Sequence, residues 1–288
     1  MHAPSTGLRF RILNVFTVGG HRLSGNPLCV FEDGRGLEPA RMQALARQFN
    51  LSETTFVLPA TAAGATARVR IFTPGFEMPF AGHPTLGTAH VVRALTGAGD
   101  RVTLGMTSGL VEVRAEGDRW TLRAPRAPAT RVPRTSSDDL AAMVGLPPGS
   151  VTRPLWVDTG VEQLMLPVRT TAEVRAARPD PARLARDGRR PGGETMAYVF
   201  AGLGPEEVEA RGFFLEHGAA VEDPATGSAC ANLGGHLVAT GAPLPARRVV
   251  WQGAQAGRPS RLLLEVDAAG RIRVSGDVVE LGRGAIRV

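Results

Sequence analysis

His83-Pro84-Thr85-Leu86-Gly87-Thr88-Ala89 and, 140 positions later, Asp223-Pro224-Ala225-Thr226-Gly227-Ser228-Ala229 share the pattern [His/Asp]-Pro-x-x-Gly-[Thr/Ser]-Ala. In a chain of 288 residues that offset is close to half the length, so the repeat predicts two similar halves. Each copy opens an apolar stretch that reads as a helix. The first carries Leu86, Ala89, Val91, Val92, Ala94 and Leu95, the second Ala229, Cys230, Ala231, Leu233, Leu237 and Val238. A helix apolar on nearly every face is wrapped by other structure. Pro84 and Pro224 fit the first helical position, where a missing N–H goes unnoticed. Helix N-termini attract anions. Two of them, one per half, predict a site for a small acidic molecule between two domains.

Working outward, Leu8 to Thr17 and Leu28 to Phe31 read as strands on either side of a Gly25-Asn26-Pro27 turn. Pro39 to Phe49 has helical spacing through Met42, Leu45, Ala46 and Phe49, with Asn50 as its stop. Thr54 to Leu58 and Ala67 to Phe72 are rich in β-formers, and Val102 to Leu104, Leu110 to Ala115 and Arg119 to Arg123 read as antiparallel strands. The proline-marked stretch 125–133 reads as a linker between an N-terminal domain, 1–124, and a C-terminal domain, 134–288. The second domain shows a short helix near Ser137 to Val144, a helix start at Asp180-Pro181, and strands at Gln163 to Val168, Met196 to Phe200 and Gly212 to Leu215. Its tail, Arg261 to Val266, Arg271 to Ser275 and Val278 to Leu281, alternates like hairpin strands, the last of them free to return to the first domain.

Composition narrows the chemistry. All 33 basic residues are Arg, so the chain has no lysine for a pyridoxal Schiff base or a phosphate-binding loop. No Gly-x-Gly-x-x-Gly turn follows a strand, which argues against a dinucleotide fold. The net charge of +6 invites a nucleic-acid reading. The densest basic stretch (Arg175, Arg178, Arg183, Arg186, Arg189, Arg190) offers no aromatic for stacking, so a solvated helix and loop is expected instead. Two cysteines, Cys29 and Cys230, provide neither a disulfide framework nor metal spacing, and the six histidines show no short ligand spacing. Met1 to Phe10 lacks the apolar run of a secretory signal, and no segment is apolar for long enough to span a bilayer. A cytoplasmic protein that binds neither membrane nor nucleic acid is the expectation.

The ordered set Gly25-Asn26-Pro27-Leu28, Leu51-Ser52-Glu53-Thr54-Thr55-Phe56, Phe72-Thr73-Pro74, Gly82 to His90, Glu222 to Ala229 and Gln252-Gly253…Gly257-Arg258-Pro259-Ser260 resembles the phenazine-biosynthesis (PhzF-like) isomerase family almost from end to end. The resemblance implies the diaminopimelate-epimerase-like α+β fold: two pseudo-symmetric halves, each a curved, mostly antiparallel sheet wrapped around a central helix, with the site in the cleft between them. It further implies a homodimer that works on a small carboxylate without cofactor or metal. The family's nearest activity is isomerisation of trans-2,3-dihydro-3-hydroxyanthranilate.

The family's acid/base, the Glu of its Ser-Glu-Thr motif, falls on Glu53. On the residues alone Glu53 reads as a solvated carboxylate at a strand start; the acid/base role is what the resemblance implies, and in a partly dry site the carboxylate could take and return a proton. His83 and Asp223 hold matching places in the two copies. They read as a turn histidine and a helix cap, or, as the resemblance implies, as groups that hold the substrate or relay a proton. Gly82, Gly227 and Ser228 fit an anion site of helix-start amides and a hydroxyl, while the glycines also fit close packing of helix on sheet. Neither copy opens with a cysteine, which argues against two-thiol epimerisation; Cys29, Cys230, His90 and His236 read as core residues. The expected function is a cofactor-independent isomerase acting through Glu53. The rivals are a racemase or epimerase of a small carboxylate, and a binding protein without turnover.

Overall fold

A computed structural model describes residues 7–190, 193 and 195–287; of the N-terminal stretch read for a signal, residues 1–6 lie outside it. The chain divides into two compact units. One runs to Leu122 and takes up the chain again from Ser275; the other spans Arg123–Val274.

The first unit contains β1 (Leu8–Val15), β2 (Asn26–Phe31), α1 (Pro39–Phe49), β3 (Glu53–Leu58), β4 (Ala67–Phe72), β5 (Glu77–Met78), α2 (Gly82–Thr96), β6 (Arg101–Met106), β7 (Gly109–Glu116) and β8 (Arg119–Arg123). β1 runs antiparallel to β2, β3 to β4, β6 to β7 and β7 to β8, while β2–β3 and β4–β6 are parallel. α2 packs against β1, β2, β3, β4, β6 and β7. Its all-round apolar sequence is thereby buried: every residue from Gly82 to Ala89, then Val91 and Val92. Close approach depends on Gly87, where a Cβ would come 2.5 Å from Leu28 Cδ2 and 3.0 Å from Val15 Cγ2. α1 covers the outer side with Met42, Leu45 and Ala46 over Phe31, Phe56 and Phe72. It stops at Asn50, whose left-handed backbone (φ 50°) returns its N–H to the Ala46 carbonyl.

The second unit contains β9 (Ala129–Arg131), α3 (Ser137–Met143), β10 (Leu155–Asp158), β11 (Glu162–Pro167), α4 (Thr171–Ala176), α5 (Pro181–Asp187), β12 (Met196–Gly202), β13 (Glu207–Glu216), β14 (Ala219–Asp223), α6 (Gly227–Ala239), β15 (Ala246–Gln252) and β16 (Ser260–Val266). Parallel joins β11–β12 and β13–β15 again interrupt an otherwise antiparallel set. α6 packs on β9, β10, β11 and β16. The stretch read as a linker carries β9, which pairs with β10. Of the tail, Arg261 to Val266 lies in β16, which neighbours the following strand in the sheet. Arg271 to Ser275 and Val278 to Leu281, read as separate strands, merge into one long strand, β17 (Ile272–Ile286), which from Val278 onward pairs with β1. Among the described residues no helix is long and apolar enough to cross a membrane.

The two copies of the repeated motif are not equivalent in backbone. α2 begins at Gly82, so His83 is its second residue and Pro84 its third. In the second copy Asp223 closes β14, and the helix starts only at Gly227. Asp223 is therefore not a cap of α6, and Pro224 is not its first residue. Gln252 explains the delay. Its Nε2 donates to the Asp223 carbonyl at 2.8 Å and its Oε1 accepts from the Thr226 N–H at 3.2 Å. A helix begun at Pro224 would need that Asp223 carbonyl for its first intrahelical bond.

Candidate active site

In the first unit, Glu53 and Thr55 project from the same face of β3 because side chains alternate along a strand. That face meets α2 twice. Thr55 Oγ1 lies 2.8 Å from Thr88 Oγ1, a buried hydroxyl pair that fixes strand against helix. Glu53 Oε2 lies 3.2 Å from His83 Nε2, with side-chain exposures of 15% and 6%. Burial pushes His83 down to about 3, against which a hydrogen bond to the Pro27 backbone works only in part. The ring is thus neutral at physiological pH. Its Nε2 makes no hydrogen bond of good geometry, so the bond to the Pro27 carbonyl is the work of Nδ1–H. That fixes the tautomer: a bare Nε2 lone pair faces the Glu53 carboxyl. Gly82 precedes His83 as the first residue of α2, whose N-cap, Ala81, offers no side chain to the first-turn N–H groups.

In the second unit, two buried amide side chains organise the residues around Asp223 and Ser228. Gln252 bridges the Asp223 carbonyl and the Thr226 N–H, so its orientation is set by the backbone. Its Oε1 also accepts from the Tyr198 hydroxyl (3.0 Å), and its Nε2 donates to Thr226 Oγ1 (2.9 Å). With Oγ1 already accepting, the Thr226 proton goes to Asp223 Oδ2 at 2.6 Å. Although Thr226 is the N-cap of α6, its side chain does not cap. α3, α4 and α5, by contrast, are capped by Ser136, Thr170 and Asp180. The second amide is Gln163 on β11, whose Nε2 donates to Ser228 Oγ at 2.9 Å. Gly227 and Ser228 are the first two residues of α6.

The structure thus brings Glu53 and His83 together in one unit, and Asp223, Thr226, Gly227 and Ser228 in the other. Sequence reasoning passed over Gln163, Tyr198, Thr226 and Asn232. Their signal was the polar residue at a core position, such as Asn232 within an otherwise apolar helix. Cys29 and Cys230 are both fully buried, and burial pushes both thiols far up, which removes them as thiolates. His236 Nε2–H donates to the Arg153 carbonyl (3.2 Å), and burial lowers both His90 and His236. Among the described residues no three His, Cys, Asp or Glu side chains gather as a metal-ligand set.

Residues 13–284 match the family described as phenazine biosynthesis-like protein, and the chain belongs to that family of isomerases. An isomerase of Pasteurella multocida (strain Pm70), described as uncharacterized, is 34% identical over 98% of this chain and 95% of its own length. The trans-2,3-dihydro-3-hydroxyanthranilate isomerase of Pseudomonas aeruginosa is 35% identical over 96% of this chain and 98% of its own. A solved structure from Pseudomonas aeruginosa, described as a predicted epimerase, superposes with a TM-score of 0.80 at 30% identity, covering 98% of this chain and 99% of that one.

Proposed function

We propose that this isomerase moves a proton between two carbons of a small unsaturated carboxylate, with Glu53 as the acid/base and no cofactor. The observation that carries the reading is the 3.2 Å approach of Glu53 Oε2 to a neutral His83 Nε2. The Glu53 carboxylate takes a proton from an activated carbon, and the electron pair left behind enters the conjugated system. Glu53 Oε2, now protonated, donates a hydrogen bond to the His83 lone pair, which keeps the proton in place until another carbon of the same system accepts it. Asp223 holds a polar substituent of the substrate. Gly82, Gly227 and Ser228 bind its carboxylate through helix-start N–H groups and a hydroxyl, a role supported by the lack of side-chain caps on α2 and α6. The two units are read as halves of one duplicated plan, each a sheet around its buried helix, in a cytoplasmic homodimer; light scattering in solution tests the dimer.

The relative acting on trans-2,3-dihydro-3-hydroxyanthranilate makes that compound the first substrate to assay. Turnover in heavy water, followed by NMR, should give a product with a shifted double bond and a solvent deuteron on the receiving carbon. A second reading, epimerisation, is favoured by the likeness to a structure described as an epimerase. An unchanged double-bond position with an inverted centre would select it, and binding without any exchange would point to a protein that does not turn over.

A further inference from the structure

A line of four polar side chains in the second unit leads from fixed backbone groups to Ser228. Asn232 is fully buried in α6. Its Oδ1 accepts from the Thr159 N–H (2.9 Å) and hydroxyl (2.7 Å), and its Nδ2 donates to the Val161 carbonyl (2.8 Å). A backbone donor on one side and a backbone acceptor on the other leave the amide a single orientation. Its remaining Nδ2 proton goes to Gln163 Oε1 at 2.8 Å. Gln163, 3% exposed, is thereby oriented too: turning it over would set two NH2 groups against each other. Its Nε2 must then donate to Ser228 Oγ, at 2.9 Å. An oxygen that accepts from Gln163 cannot also give its proton back to it. Among the described residues the Ser228 hydroxyl has no other hydrogen-bond partner, so its proton is left to be offered outward.

We infer that Gln163, oriented by Asn232, is a positioning residue that makes Ser228 an obligate donor and so requires an acceptor at that position of the substrate, which a carboxylate oxygen supplies and a donor group does not. The inference rests on the reading of Ser228 as a substrate-binding residue. Buried amides of this kind give discrimination because a mismatched ligand group leaves a polar atom unpaired. A core glutamine kept only for packing would impose no such polarity.

The test is a double-mutant cycle read by calorimetry, with 3-hydroxyanthranilate as the probe. Ser228→Ala removes the donor and is expected to weaken binding about 10- to 100-fold, as for loss of a hydrogen bond to a charged group. Gln163→Glu turns the relay round: its carboxylate accepts the Ser228 proton, the serine lone pairs face the probe, and affinity falls by at least as much. In the double variant the second change has no hydroxyl to act through, so the two losses should not multiply. Losses that multiply would mean that Gln163→Glu acts through space or on folding, and would overturn the inference. Neutron diffraction of the unmodified protein after deuterium exchange checks the same polarity independently. The inference requires one Gln163 amide deuteron toward Ser228, the other facing Met196 Sδ, and the serine deuteron turned away; a serine deuteron pointing at Gln163 refutes it. If the unmodified protein does not bind the probe while the neutron map shows the required polarity, the substrate reading fails and the relay stands.

Discussion

Gly212 on β13 leaves room for Thr226: a Cβ at residue 212 would come 2.7 Å from Thr226 Oγ1 and 3.3 Å from Gln252 Nε2. Neither neighbour can retreat, since Gln252 is tied to backbone groups at both ends and Thr226 Oγ1 is bonded to Asp223. Gly212→Ala is therefore expected to cost about 1–3 kcal/mol of stability, as overpacking of a filled site does. It should also disturb Asp223 with no direct contact to substrate. Urea denaturation and turnover measured on the same variant check both outcomes; a variant of unchanged stability would mean that Thr226 is free to move.

His83 predicts a pH dependence of folding. Its folded value, about 3, lies below the ordinary 6.5, so below pH 6.5 the unfolded chain takes up a proton that the folded chain refuses. The stabilisation is fully present above pH 6.5 and is lost as pH falls toward 3, by up to about 1.4 kcal/mol per pH unit for one proton. Urea midpoints of the unmodified protein and of His83→Asn between pH 7.5 and 4.5 should diverge, with the shallower slope in the variant. Parallel slopes would show that His83 is protonated in the folded state.

Arg211 and Glu222 form a buried ion pair, 2.6 Å apart with side chains 6% and 12% exposed. Arg211 also donates to the Val174, Arg175 and Ala177 carbonyls at the end of α4. Arg211→Met strands the carboxylate and uncaps the helix, for an expected loss of about 3–5 kcal/mol. Adding Glu222→Leu should restore only part of it, because the carbonyls stay unpaired. Chemical denaturation of the single and double variants checks this; full restoration would make the capping bonds negligible.

Gly87 is the corresponding probe of the first unit. Gly87→Ala gains helix propensity but presses on Leu28 and Val15, both fully buried. The steric term wins, with an expected net loss of about 1–3 kcal/mol in thermal or urea unfolding. A stabilised variant would show that β2 yields to the helix.

Much of this was legible in the sequence because it rests on local rules. The apolar runs after both motif copies announced α2 and α6, and Asn50 announced the end of α1, in left-handed conformation (φ 50°). What stayed hidden depends on distant partners. β15 escaped notice behind Arg247 and Arg248, since its burial depends on pairing with β13 and β16. The start of α6 was misplaced because Gln252, far along the chain, competes for the backbone of the second motif. α4 is a different case. Its capping box, Thr170 with Glu173, is written in the sequence and was missed.

The central claim is that Glu53 carries the proton, and isotope exchange in heavy water tests it most directly. With trans-2,3-dihydro-3-hydroxyanthranilate, or whichever substrate is identified, Glu53→Gln should abolish turnover and deuterium incorporation together while the variant remains folded. Undiminished exchange in Glu53→Gln would contradict the account.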